Sequence, residues 1–130
     1  MKTLALRTDK PEAELYIYDG RSLLAELKWQ AHLQLAETLN SKVDEILNKS
    51  SISYKDIDGI AVYKGPGSFT GLRIGMSVAN ALAYSLGIPI VSLSGDHWLE
   101  NAIKKLGRGH NDKVSVPEYG APPRVTKPRK

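Results

Sequence analysis

The residues best suited by type and spacing to chemistry lie in Gly65-Pro66-Gly67-Ser68-Phe69-Thr70-Gly71-Leu72-Arg73-Ile74-Gly75. Glycines interleaved with hydroxyls, where a strand passes into a helix, can bare successive backbone N–H groups to an anion. The same glycines suit a second task, because without a Cβ they let two backbones approach closely. The segment lacks the Gly-Lys-Ser/Thr ending of a Walker A loop. Gly65, Gly67 and Gly71 are spaced one residue too wide at the end for a dinucleotide fingerprint. Ser68 has no nucleophile-elbow glycine pattern and reads first as a helix cap.

Other chemistry is sparse. His32, His97 and His110 are scattered without zinc-binding spacing, and the chain has no cysteine. Asp96 and His97 are sequence neighbours, which does not put a carboxylate behind an imidazole as a triad requires. Asp44-Glu45 and the pair Asp56 and Asp58 fall where solvated faces are expected. These residues form no catalytic or metal-ligating constellation, and the expectation is of no catalytic residue and no metal.

The elements that must position the glycine turn follow from periodicity. Thr3 to Thr8, Glu14 to Asp19 and Ser22 to Trp29 read as three strands, the last two joined by the Asp19-Gly20 turn. From Ala31 the period becomes helical, with Leu35, Ala36, Leu39, Val43, Ile46 and Leu47 on one face. Ile57 to Tyr63 predicts a fourth strand, and Leu72 to Leu86 a second helix ended by Gly87 and Pro89. Pro89 to Leu93 predicts a fifth strand, and Ser94 the N-cap of a helix to about Leu106, with Asp96 in its first turn. An order of β-β-β-α-β-α-β-α implies an α/β fold: a mixed five-stranded sheet with a leading antiparallel hairpin and flanking helices.

The totals agree with one domain. The 130 residues are 42% hydrophobic and 25% charged, ordinary globular values. Met1-Lys2 leads straight into a strand and no apolar run reaches bilayer length, so a cytoplasmic protein without membrane association is expected. The net charge of +4 is uneven: residues 1–103 carry 10 Lys and Arg against 12 Asp and Glu, residues 104–130 carry 8 against 2. The expected organisation is a lobe over 1–106 and a basic, proline-containing tail over 107–130. Such a tail suits RNA, an acidic protein surface, or simply solvent.

The second helix is apolar nearly all round, with Arg73 and Asn80 its only strongly polar residues. Gly71, Gly75, Ala79 and Ala83 form a small-residue row at four-residue spacing. Part of the cover it needs can come from the first helix, and the rest is expected from a second polypeptide.

The segment from Gly65 to Gly75, with Leu4-Ala5-Leu6, His32 to Leu47 and Ala83-Tyr84-Ser85-Leu86-Gly87-Ile88-Pro89, resembles the TsaB (YeaZ) family. That family is needed for threonylcarbamoyladenosine in bacterial tRNA, and the resemblance covers roughly residues 1–106. It implies an actin-like lobe of the ASKHA superfamily, ribonuclease-H-like in fold. It further implies a non-catalytic partner of the transferase subunit TsaD, docking through the first two helices on TsaD or on a second copy. A TsaE-like ATPase belongs to the same implied complex. The implied interface residues are Leu39, Val43, Gly67, Ser68, Phe69, Thr70, Gly71, Arg73, Ile74, Gly75 and Val78, with Arg73 meeting a partner carboxylate or carbonyl.

Two departures qualify the resemblance. Superfamily members usually end the first strand in Asp-Thr/Ser, where the Asp helps hold a nucleotide-bound metal; here Arg7-Thr8 stands there. No cofactor is therefore expected for this chain alone, and a nucleotide only at an interface. Longer relatives also carry a second lobe, so the expectation is a single-lobe form. The competing readings are a nucleotide-binding hydrolase, with an anion at the second helix, and an RNA-binding module built on the tail.

Overall fold

Both faces of β1 (Lys2–Arg7) are buried from Thr3 to Leu6, which places this strand in the middle of the sheet. In a computed structural model, which describes residues 1–117, it is flanked by β2 (Glu12–Asp19) and β4 (Gly59–Tyr63). β3 (Ser22–Gln30) and β5 (Ile90–Leu93) form the two edges, giving the order β3-β2-β1-β4-β5. β1, β2 and β3 run antiparallel in sequence, while β1–β4 and β4–β5 are parallel. The mixed five-stranded sheet with its leading hairpin is thus the one expected from the order of elements.

Period-two alternation sorts the side chains between two cores. Leu4, Leu6, Leu15, Ile17, Ile60, Val62 and Ile90 face α1 (Leu35–Lys49) and α2 (Phe69–Leu86). Ala5, Ala61, Tyr63 and Val91 face α3 (Trp98–Gly107), whose Trp98, Ala102 and Leu106 complete the second core. Alanines in the middle of β1 and β4 leave room for α3 to approach, and the Trp98 and Tyr63 rings meet edge to face at 5.7 Å.

Helix boundaries show which local signals prevailed. A single 3-10 turn, His32–Gln34, precedes α1, so the helix proper starts at Leu35 and not at Ala31. Ser68 caps α2, its Oγ accepting the Gly71 N–H at 3.3 Å, and Gly87 ends the helix at φ 67°. The expectation for α3 needs correcting. Gly95 takes φ 92°, a left-handed backbone that interrupts any helix begun at Ser94. The helix therefore starts at Trp98, and Asp96 precedes it instead of lying in its first turn.

The chain stays packed beyond α3. Asn111 and Asp112 bond to β5, and the Asn80 side chain pairs with the backbone of Ser115 in both directions, at 2.9 and 2.8 Å. The rest of the expected tail, from residue 118 onward, lies outside the described residues, and with it Arg124, Lys127, Arg129 and Lys130, half of the basic residues considered for RNA contact. Among the described residues no helix is long and apolar enough to cross a membrane.

Candidate functional site

The glycine turn lies where β1 ends and α2 begins, and its backbone is stitched to Thr8 and Asp9. The Ser68 N–H donates to the Asp9 carbonyl at 3.0 Å, and the Thr8 hydroxyl donates to the Gly71 carbonyl at 2.8 Å. A Cβ on Gly71 would stand 2.1 Å from the Thr8 carbonyl oxygen, and one on Gly75 2.1 Å from Thr8 Oγ1. A Cβ on Gly67 would meet the Asp9 Cβ at 2.3 Å. Of the two tasks open to these glycines, close approach is the one this geometry displays, to backbone at Gly71 and to side chains at Gly67 and Gly75.

This geometry corrects the expectation for the small-residue row. Gly71, Gly75, Ala79 and Ala83 are buried against the chain's own sheet and are not open to a second polypeptide. Leu39 and Val43, also expected at a partner interface, are 0% and 1% exposed in the core between α1 and the sheet. The physical reason is the same in each case: periodicity marks an apolar face, and in this fold that face is filled from within.

What remains outward on α2 is a different stripe. Phe69 is 55% exposed and Tyr84 90%, with Thr70, Arg73, Ser77 and Ala81 exposed between them and Ile74 and Val78 half-buried. The Arg73 guanidinium lies 5.3 Å from the centre of the Phe69 ring. Phe69, Thr70, Arg73, Ile74 and Ser77 surround a shallow depression of about 260 Å³. Gly67 and Ser68 are exposed at its head. Tyr84 was missed, although its eleven-residue offset from Arg73, about three turns, already puts both on one face.

The start of α2 also borders a cleft of about 340 Å³, whose lining includes Thr8, Lys10, Leu33, Ser68, Thr70 and Gly71. Its charged groups are engaged. Lys10 Nζ lies 3.0 Å from Glu14 Oε2, and the Tyr16 hydroxyl donates to Glu14 Oε1 at 2.6 Å. Burial raises the Glu14 pKa, but the bonds from Tyr16 and Lys10 outweigh it, and the carboxyl ends below the usual glutamate value. The Tyr16 phenol is pushed up by burial and by its bond to Glu14.

Arg7, standing where the superfamily places an aspartate, is tied to the neighbouring acid. Its Nε donates to Asp9 Oδ1 at 2.8 Å and a terminal nitrogen to Oδ2 at 3.2 Å. The guanidinium also stacks 4.0 Å from the Tyr63 ring centre. Burial lowers the Arg7 pKa, but the bond and charge of Asp9 outweigh it and hold the cation firmly protonated.

His97 and His110 each pair with an acid close by in sequence and not with one another. His97 Nδ1 lies 3.0 Å from Glu100 Oε1 and not against Asp96, while His110 Nε2 lies 2.9 Å from Asp112 Oδ1. Both pairs are surface contacts remote in the chain from Ser68, whose hydroxyl caps α2. Among the described residues no group of three or more His, Cys, Asp or Glu could hold a metal.

Comparison with known proteins agrees with this arrangement. The family model for TsaD, tRNA N6-adenosine threonylcarbamoyltransferase, matches residues 29–107. The tRNA threonylcarbamoyladenosine biosynthesis protein TsaB of Haemophilus influenzae is 32% identical over 83 residues, covering 60% of this chain and 35% of that protein. YeaZ from Pseudomonas aeruginosa superposes with a TM-score of 0.69 at 26% identity, covering 82% of this chain and 50% of that one. The chain belongs to the family that the TsaD model describes. TsaB and YeaZ are among the proteins it is similar to.

The tRNA N6-adenosine threonylcarbamoyltransferase of Geotalea uraniireducens is also similar, 39% identical over 72 residues that make up 55% of this chain and 20% of the relative. The chain thus spans between a fifth and about a third of the length of these curated relatives. Thermus thermophilus RuvC, at 12% identity and a TM-score of 0.53, shares the fold alone. The mixed five-stranded lobe, like that of YeaZ, is of the actin-like, ribonuclease-H-like kind.

Proposed function

We propose that this TsaB/YeaZ-like chain serves threonylcarbamoyladenosine formation on tRNA as a non-catalytic subunit that docks on a TsaD-like transferase. The observation carrying this reading is the outward stripe of α2. Phe69, Arg73 and Tyr84 are displayed on a helix whose other side is fixed to the sheet, while Ser68 and the turn glycines are committed to holding it there. An aromatic–arginine pair on a rigid element is the kind of anchor that dominates protein interfaces. Gly67, Ser68, Thr70, Ile74 and Val78 border the anchor and would exclude water around it.

The reading as a nucleotide hydrolase has less behind it. The Asp9 carboxylate at the end of β1 already accepts two bonds from Arg7, which leaves it a poor ligand for Mg²⁺.

The test is affinity for a purified TsaD-type transferase, measured by calorimetry with Phe69→Ala and Arg73→Glu. Each variant should bind about 30-fold more weakly, the loss of one hot-spot side chain of about 2 kcal/mol. Exposed positions keep the fold out of the comparison, which a substitution at Gly75 against Thr8 would not. Unchanged affinity in both variants would remove α2 from the interface. Loss of self-association, in place of transferase binding, would assign the stripe to a second copy.

A further inference from the structure

The two edges of the sheet are treated differently. β3 is nine residues long and carries Glu26 and Lys28, with a register shift opposite it between Ile17 and Tyr18, features that discourage strand addition. β5 is Ile90-Val91-Ser92-Leu93, short, apolar and uncharged. The carbonyls of Pro89 and Leu93 accept from Ile60 and Lys64 on the β4 side, so Ile90 and Ser92 present their peptide groups outward.

Three of those four outward groups, the Ile90 N–H and carbonyl and the Ser92 N–H, are occupied by residues that form no strand. The Ile90 N–H donates to Asn111 Oδ1 at 3.0 Å, and the Ile90 carbonyl accepts from the Asp112 N–H at 2.8 Å. The Ser92 N–H donates to Asp112 Oδ2 at 2.9 Å. Asn111 Oδ1 also takes the Lys113 N–H at 2.8 Å, which tightens the segment at a residue with φ 70°. Beyond it, Ser115 is buried and clamped by both ends of the Asn80 amide on α2. Two side chains and one peptide thereby do for β5 what a sixth strand would do.

We propose that residues 110–116 are an edge guard, which keeps β5 from pairing with the β5 of a second copy of this chain. Self-pairing is the specific hazard because an apolar strand edge is complementary to itself about a two-fold axis. The guard acts through side-chain oxygens, so it closes the edge without offering a new edge of its own. It also draws the chain from β5 to α2, where Asn80 anchors it.

The test uses the full chain with Asn111→Ala and Asp112→Ala combined. At a concentration low enough to keep the variant monomeric, amide exchange at Ile90 and Ser92 should accelerate about tenfold or more, as expected when edge bonds are lost locally. Sedimentation velocity over a concentration series should show more dimer than the parent chain forms. Adding Ser92→Pro, which deletes an outward N–H while sparing the β4 ladder, should return sedimentation to that of the parent. Should the double variant not fold, Asn111→Ala alone is read in the same way at Ile90. Unchanged exchange would overturn the proposal, as would faster exchange with no gain in dimer, or extra dimer that survives Ser92→Pro.

Discussion

Substituting Gly71 by alanine tests the close seat of α2 on β1. The added Cβ would stand 2.1 Å from the Thr8 carbonyl oxygen, against 3.4 Å for ordinary contact, a shortfall of about 1.3 Å. The obstacle is buried backbone just past the end of the central strand β1, so the helix must lift. Overpacking of this sort costs about 3 kcal/mol, and lifting also breaks the 2.8 Å bond from Thr8 Oγ1 to the Gly71 carbonyl, about 1 kcal/mol more. Alanine's better helix propensity returns about 1 kcal/mol, leaving a net loss of about 3 kcal/mol. Gly75→Ala meets a side-chain hydroxyl instead, Thr8 Oγ1 at 2.1 Å, which can turn aside. Thr8→Ala should therefore rescue much of the Gly75→Ala loss and little of the Gly71→Ala loss. Gly107→Ala, with nothing within 4 Å of its Cβ, is the control and should be neutral or slightly stabilising. Urea unfolding followed by far-UV circular dichroism measures the four single variants and the two doubles that carry Thr8→Ala. A Gly71→Ala midpoint equal to the parent's, or equal rescue of both glycine variants by Thr8→Ala, would refute the reasoning.

Removing the Asp9 carboxylate with Asp9→Ala leaves the Arg7 guanidinium half-buried over Tyr63 without its counter-charge, and should cost about 2 kcal/mol in urea unfolding. Adding Arg7→Met should recover part of that loss, and no recovery would show that the pair does not act as a unit. The lowered Glu14 pKa means that its bonds stabilise the fold above the ordinary value of 4.5 and lose that contribution as the pH falls through the lower folded value. Glu14→Gln should accordingly narrow the difference between urea midpoints at about pH 6 and about pH 3, and an unchanged difference would exclude Glu14 as a source of the acid sensitivity.

Much of the architecture was legible because the signals were local. The apolar runs Leu4-Ala5-Leu6 and Ile60-Ala61-Val62 marked strands, which the structure buries on both faces, and Ser68 and Gly87 marked the ends of α2 as cap chemistry requires. Ser94 offered an equally good cap, but the backbone at Gly95 turned the chain away from a helix there. The candidate site was read less well for one reason. Periodicity tells which residues share a face and is silent on what covers it, so Leu39, Val43, Gly71 and Gly75 passed for a partner surface until Thr8 and the sheet were in place. The bonds of Asn111 and Asp112 to β5 span about twenty residues and leave no periodic trace in the sequence.

The narrow gap between Thr8 and α2 also bears on what kinship can be read from those glycines. Any protein that brings a helix this near a central strand is barred from larger residues at both places, whatever work it performs. Such a constraint says nothing of activity, and the chain is similar both to a transferase and to TsaB. Occupation would be written in the solvent-facing letters between the glycines, and Phe69, Thr70 and Arg73 are where lineages with different trades should diverge.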